Sequence, residues 1–132
     1  MKIDLLYGPD FDGEKLAEEL EELGYTVSES VIEFKDIRSM EKDIRSTLDA
    51  NVVVAHCFPA TVLLDRFDDV ETIAIDPPWI EDSEQKIEVE DEEQRVIWSS
   101  VNSDAGIQID SGHLFTDRKD ELAEQVDRLI DG

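Results

Sequence analysis

The sequence predicts an α/β fold, a three-layer α/β/α sandwich around a mostly parallel central sheet. Three observations carry that prediction. Short apolar runs alternate with helical stripes through the first half of the chain. One run, Val52-Val53-Val54-Ala55, is continuously apolar, as strands buried on both faces are. The chain has 132 residues, and cores divide only beyond roughly 250. Residues 1–132 are therefore expected to form a single domain with no cap domain.

The elements follow in order. Ile3–Tyr7 is apolar and stops at Gly8-Pro9, which reads as a buried strand and a turn. Leu16, Ala17, Leu20 and Leu23 recur at helical spacing, and Gly24 is placed as a C-terminal cap. Val27, Val31, Ile32 and Phe34 suggest a second strand. Ile37, Met40, Ile44 and Leu48 form a second helical stripe. Asn51–Cys57 is the third strand. Pro59 suits the first turn of a helix whose apolar face holds Val62, Leu63 and Phe67. Val70–Asp76 is the next strand, stopped by Pro77-Pro78. Right-handed crossovers between parallel strands then fix most of the topology.

The second half is less regular. Glu81–Gln94 is mostly charged and reads as an edge strand or a loop. Arg95–Val101 reads as a strand. Asn102-Ser103-Asp104-Ala105-Gly106 is turn chemistry, and Ile107 with Ile109 suggests a further short strand. Together these predict an antiparallel hairpin. Thr116 or Asp117 is expected to cap a last helix that turns Leu122, Val126, Leu129 and Ile130 inward.

Composition narrows the partners. The chain carries 35 Asp or Glu against 12 Lys or Arg, a formal charge of −23. Nucleic-acid affinity comes largely from neutralising phosphates, so no nucleic-acid partner is expected. Anionic membrane surfaces are disfavoured on the same ground, and no apolar run reaches the ~20 residues that span a bilayer. The acids spread over the whole chain. Such a domain repels itself until salt screens it, and at ~1 M the Debye length falls to about 3 Å. The charge is thus expected to reflect molar internal salt, as in a haloarchaeal-type acidic protein. The start at Met1–Tyr7 lacks the pattern of a signal peptide, and the one cysteine, Cys57, has no internal disulfide partner. A cytoplasmic location is the expectation.

The rare residues point to an edge of the sheet. His56 and Cys57 end the most apolar strand, and His113 lies in a loop before the last helix. Ligands of parallel α/β sheets bind outside the carboxyl ends of the strands, where Gly8, Cys57, Asp76 and Asp104 all fall. Gly8-Pro9-Asp10-Phe11-Asp12-Gly13 lacks the Gly spacing and Lys of a phosphate loop. His56, Cys57, His113 and a carboxylate lack the paired spacings of a zinc site, and neighbours on a strand point to opposite faces. Neither a metal nor a cofactor is expected.

Three segments resemble the α/β-hydrolase family. Leu5-Leu6-Tyr7-Gly8-Pro9, with Leu23-Gly24-Tyr25-Thr26-Val27 after a helix, resembles its opening strand, oxyanion loop, first helix and second strand. Ala55-His56-Cys57-Phe58-Pro59 is similar to the nucleophile elbow, with Cys57 as nucleophile. Gly112-His113-Leu114-Phe115 resembles the histidine loop. The resemblance implies Cys57, Asp104 and His113 as nucleophile, acid and base, with Phe58 and Asp10 N–H groups at the oxyanion. His56 and Asp76 would belong to the pocket. It implies ester or thioester hydrolysis of a small-molecule acyl substrate. Ala55 and Pro59 replace the elbow glycines, which leaves a second reading open: a non-catalytic module binding a protein or small ligand. The opening segments, with Asp49-Ala50-Asn51-Val52-Val53-Val54, also resemble TIR and nucleoside-deoxyribosyltransferase folds. That third reading needs a carboxylate near the third strand, and the first available is Asp65.

Overall fold

The computed structural model describes residues 1–78, 80, 95–102 and 106–131. Six strands form one sheet: β1 Lys2–Tyr7, β2 Thr26–Val31, β3 Val52–His56, β4 Glu71–Ile75, β5 Arg95–Ser99 and β6 Ile107–Ile109. Their order is β2-β1-β3-β4-β5-β6, and every adjacent pair is parallel. Four helices connect or follow them: α1 Gly13–Glu22, α2 Ile37–Thr47, α3 Phe58–Arg66 and α4 Lys119–Asp131. This is the α/β sandwich that the alternating pattern predicts.

The period of two along each strand builds the two faces. Ile3, Leu5, Val52, Val54, Ile73 and Ile75 pack with Leu16 and Leu20 of α1 and Leu122 and Val126 of α4. The intervening Leu6, Val53, Ala55 and Ala74 pack with Met40 and Ile44 of α2 and Val62 and Leu63 of α3. Strands buried on both sides in this way cannot alternate polar and apolar residues, which is why β3 is continuously apolar. Asp4 is the buried exception in β1. Its carboxylate accepts the Asp49 and Ala50 N–H groups, each at 2.7 Å, and ties the loop before β3 to the sheet.

Local chemistry sets the helix ends. The Asp12 and Asp36 side chains accept the N–H groups of Lys15 and Ser39 and so cap α1 and α2. Gly24 takes a φ of 101°, its N–H bonds the Glu21 carbonyl, and the Tyr25 N–H bonds that of Leu20. Those two bonds close α1 as a Schellman turn, which needs the left-handed residue that glycine supplies. Gly13 serves a different need, since a Cβ there would meet the Tyr7 ring at about 2 Å.

Three expectations are corrected. β2 ends at Val31, so Ile32 and Phe34 lie outside it. The Ile32 N–H still bonds the Tyr7 carbonyl at 2.8 Å, after which the chain leaves the sheet for the start of α2. The antiparallel hairpin does not form, because β6 runs parallel to β5, with Ile97 facing Ile107. A strand of three residues covers only about 10 Å, and its Ile107 and Ile109 alternate in the same way whichever direction it runs. The last helix starts at Lys119, so neither Thr116 nor Asp117 directly precedes it. Asp117 instead takes a turn conformation with a φ of 62°. The Glu81–Gln94 stretch, Trp79 and Asp104 lie outside the described residues. No helix among the described residues is long and apolar enough to cross a membrane.

The strand order reverses between the parallel strands β1 and β3: from β1 the sheet continues to β2 on one side, and from β3 to β4 on the other. A crevice opens at the carboxyl ends of such a pair. The loop after β1 and the turn after β3 form its two sides.

Candidate active site

Cys57 occupies the turn between β3 and α3. Its φ is 68° and ψ −134°, a backbone region that costs a non-glycine residue about 1–3 kcal/mol. The surroundings hold it there. The Cys57 N–H extends the sheet by bonding the Ile75 carbonyl at 2.9 Å, and its carbonyl accepts the Ala60 N–H at 3.0 Å. The result is a tight strand-to-helix elbow with the thiol at its tip, half-buried. Pro59 falls in the first turn of α3, where a missing N–H removes only a donor that would have no helical partner. The Phe58 N–H has no acceptor among the described residues.

His113 reaches Cys57 from the loop after β6. The parallel direction of β6 makes this happen, because it delivers residues 110–113 to the same carboxyl edge as β3 and β4. The ring is anchored by Asp76, whose Oδ2 lies 2.8 Å from its Nδ1, and it lies near enough to the Cys57 thiol for that group to help raise its titration. A carboxylate on Nδ1 leaves Nε2 for the thiol. Asp104 is the sequence candidate for the acid and lies outside the described residues. The carboxylate on Nδ1 is that of Asp76.

Asp76 ends β4, with a φ of 48° and an exposure of 1 %. A buried carboxylate must be saturated with donors. Oδ1 accepts the Ser99 N–H at 2.6 Å, and Oδ2 accepts from Ser99 Oγ, Asn102 Nδ2 and His113 Nδ1. Burial pushes the Asp76 carboxyl up, but the bonds from His113, Ser99 and Asn102 outweigh it and hold it below the usual carboxylate value. The same bond from Asp76, followed by the one from Cys57, raises His113 to about 9 against the opposing effect of burial. Asn102 Nδ2 also lies 3.2 Å from His113 Nδ1. Both nitrogens carry hydrogen in this arrangement, so the amide's bond is the one to Asp76.

His56 is the last residue of β3 and is buried, with its ring centroid 4.6 Å from that of His113. It stacks on Phe11 at 4.0 Å and meets the Phe115 ring edge-on at 6.0 Å. Its Nε2 donates to the His113 carbonyl at 2.7 Å, and its buried Nδ1 has no partner. Such a ring is held neutral, and desolvation lowers His56 to about 4. His56 therefore positions the backbone that carries the His113 ring. Lys119 works on the next two residues. Its Nζ donates to the Leu114 and Phe115 carbonyls at 2.7 and 3.1 Å and lies over the Phe11 ring.

A cavity of about 140 Å³ opens beside the thiol. Cys57, Asp10, Ile32, Phe34, Phe58 and Leu114 are among its lining residues. Of the residues singled out in the sequence, Cys57, His113, Asp76, His56, Phe58 and Asp10 gather at this edge. Sequence reasoning missed Ser99, Asn102 and Lys119. Asn102 sits in a recognisable turn, but nothing in its surroundings in the chain connects it to Asp76. Asp65 lies in the last turn of α3, about 12 Å along the helix from Cys57, and pairs with Arg66 at 2.8 Å. Among the described residues, no group of three His, Cys, Asp or Glu side chains is placed to hold a metal ion.

Comparison with known protein families, curated proteins and solved structures finds no match to this chain.

Proposed function

We propose that this chain is a small acyl hydrolase of the α/β-hydrolase type, acting on an ester or thioester through Cys57, His113 and Asp76. The observation that carries this reading is the His113 ring, fixed by the Asp76 carboxylate and set near the Cys57 thiol at a strained strand-to-helix elbow. In the first step the Cys57 thiolate, its proton held on His113 Nε2 as the raised imidazolium allows, attacks the acyl carbonyl. The carbon–oxygen or carbon–sulfur bond to the leaving group then breaks, and the imidazolium gives that group its proton. The acyl group is now a thioester on Cys57. Water attacks it while His113 takes the water's proton, and the acid and free thiol are released. Asp76 keeps the proton on Nδ1 throughout and stabilises the imidazolium. The Phe58 N–H and, across the crevice, that of Asp10 are the donors available to the oxyanion.

The test uses the single cysteine. Wild-type protein is expected to release p-nitrophenol from p-nitrophenyl acetate with an initial burst. Cys57→Ala should lower the rate at least about 10³-fold, to the uncatalysed background. Mass spectrometry should find one iodoacetamide adduct, at Cys57, formed far more slowly in His113→Ala. Full activity in Cys57→Ala would remove the reading. A binding module on the same scaffold is the second reading, and exposed Val31 and Phe34 beside the cavity favour it. That module predicts no burst and no effect of Cys57→Ala on partner capture.

The acidic surface supports a salt-rich interior as the working environment. Thermal unfolding in KCl should shift upward by on the order of 10 °C between ~0.01 M and ~1 M, the change that about 2–3 kcal/mol makes in a domain of this size. An unchanged midpoint would contradict the halophilic assignment.

A further inference from the structure

The cavity beside Cys57 specifies more than a reaction. Its wall is formed by Ile32, Phe34, Phe58, Pro59 and Leu114, all apolar. Its volume, about 140 Å³, is close to that of an engineered apolar cavity that holds one benzene molecule. Phe34 forms the outer boundary. It is 62 % exposed, and its ring meets that of Phe58 at 4.3 Å. Among the described residues no Lys or Arg lines the cavity, His56 is neutral there, and exposed Asp10 is part of the lining. A negatively charged group entering would lose its hydration and meet a like charge.

We propose that this cavity is an acyl-binding pocket for short, uncharged, apolar acyl groups of about four to six carbons. The assignment rests on the hydrolase reading for its chemistry and on the cavity alone for its selectivity. Each added methylene of the acyl group is buried against Phe58 and Leu114 until the pocket is full. A longer chain must pass Phe34 into water and gains little from further length.

Turnover of a p-nitrophenyl ester series tests the selectivity. kcat/KM should rise about fourfold per methylene from acetyl to butyryl and level off or fall beyond hexanoyl. A hemisuccinate ester should be hydrolysed at least about tenfold more slowly than the butyryl ester. Phe34→Ala should move the optimum to longer chains, and Phe34→Trp to shorter ones. A best substrate of dodecanoyl length, or an anionic ester hydrolysed as well as the butyryl ester, would overturn the assignment. A binding measurement separates this outcome from the chemistry. Methyl butyrate added to Cys57→Ala should shift the amide resonances of Phe34, Phe58 and Leu114, whereas sodium butyrate should not. Those shifts without any turnover by wild-type protein would remove the hydrolase reading and leave the pocket standing. Their absence would overturn the pocket.

Discussion

Asp76→Asn is expected to lower kcat/KM on short esters by about 10³–10⁴-fold, the range seen when the acid of a Ser-His-Asp triad becomes an amide. The cause is the tautomer. Asp76 Oδ2 accepts from His113 Nδ1, which leaves Nε2 as the nitrogen that holds and returns the thiol proton. An asparagine is held by the Ser99 N–H at its oxygen and turns its NH₂ toward His113. Nδ1 then becomes the acceptor, the hydrogen moves to Nε2, and Cys57 faces a donor. The His113 titration should also fall from about 9 toward its ordinary value of 6.5, which NMR of the ring protons reads directly. Stability falls as well, because one amide oxygen cannot serve the Ser99 Oγ and Asn102 donors together. Each orphaned buried group costs about 1–3 kcal/mol. Ser99→Ala separates the two effects: it removes one donor, leaves the His113–Asp76 bond in place, and should lower stability far more than activity. Asp76→Asn retaining activity within tenfold would show that another group orients the ring.

Acid should destabilise the protein through His56. Desolvation lowers its folded value to about 4, against 6.5 in the unfolded chain. Between those two pH values the unfolded state binds the extra proton and the folded state does not. The stabilisation is therefore complete above about pH 6.5, shrinks as the pH falls, and is gone by about pH 4. The shift corresponds to roughly 3 kcal/mol. Denaturant unfolding from pH 7 to pH 4 should show this slope, and His56→Gln should flatten it. Glutamine is a fair comparison because its NH₂ can still donate to the His113 carbonyl and it does not titrate. A slope unchanged in His56→Gln would place the acid sensitivity elsewhere. His113 contributes with the opposite sign. Its raised value gives stability that is full below about 6.5 and is lost as the pH climbs through about 9.

Periodicity made the layers legible in the sequence. Val52-Val53-Val54-Ala55 could only be a strand covered on both sides, and Gly24 could only close a helix. The edge holding Cys57 and Asp76 followed from where those strands stop. Contacts between distant segments were not legible. The antiparallel hairpin was inferred from a turn-rich stretch at 102–106, and turn chemistry does not encode whether the chain doubles back or crosses over. That direction decides which carboxylate meets His113. Asp76 was visible as a strand end before Pro77-Pro78, yet its left-handed backbone and its bonds to Ser99 and Asn102 depend on β5 lying alongside β4. Lys119 carries no signal in the sequence that sets it apart from the other charged residues around it. Its burial follows from the carbonyls of Leu114 and Phe115, which turn toward it only in the folded loop.

The shortest strand has a consequence out of proportion to its length. β6 contributes three residues at the end of the sheet, and among the described strands its one neighbour is β5. The loop that carries His113 follows directly on β6 in the chain. Edge segments of this kind open locally at free energies well below that of global unfolding. Detaching β6 would dismantle the catalytic arrangement while β1, β3 and β4 stayed intact. The fraction of molecules competent at any instant is then set by the opening equilibrium of the strand at the margin. Two proteins with the same melting temperature could differ in activity for that reason alone.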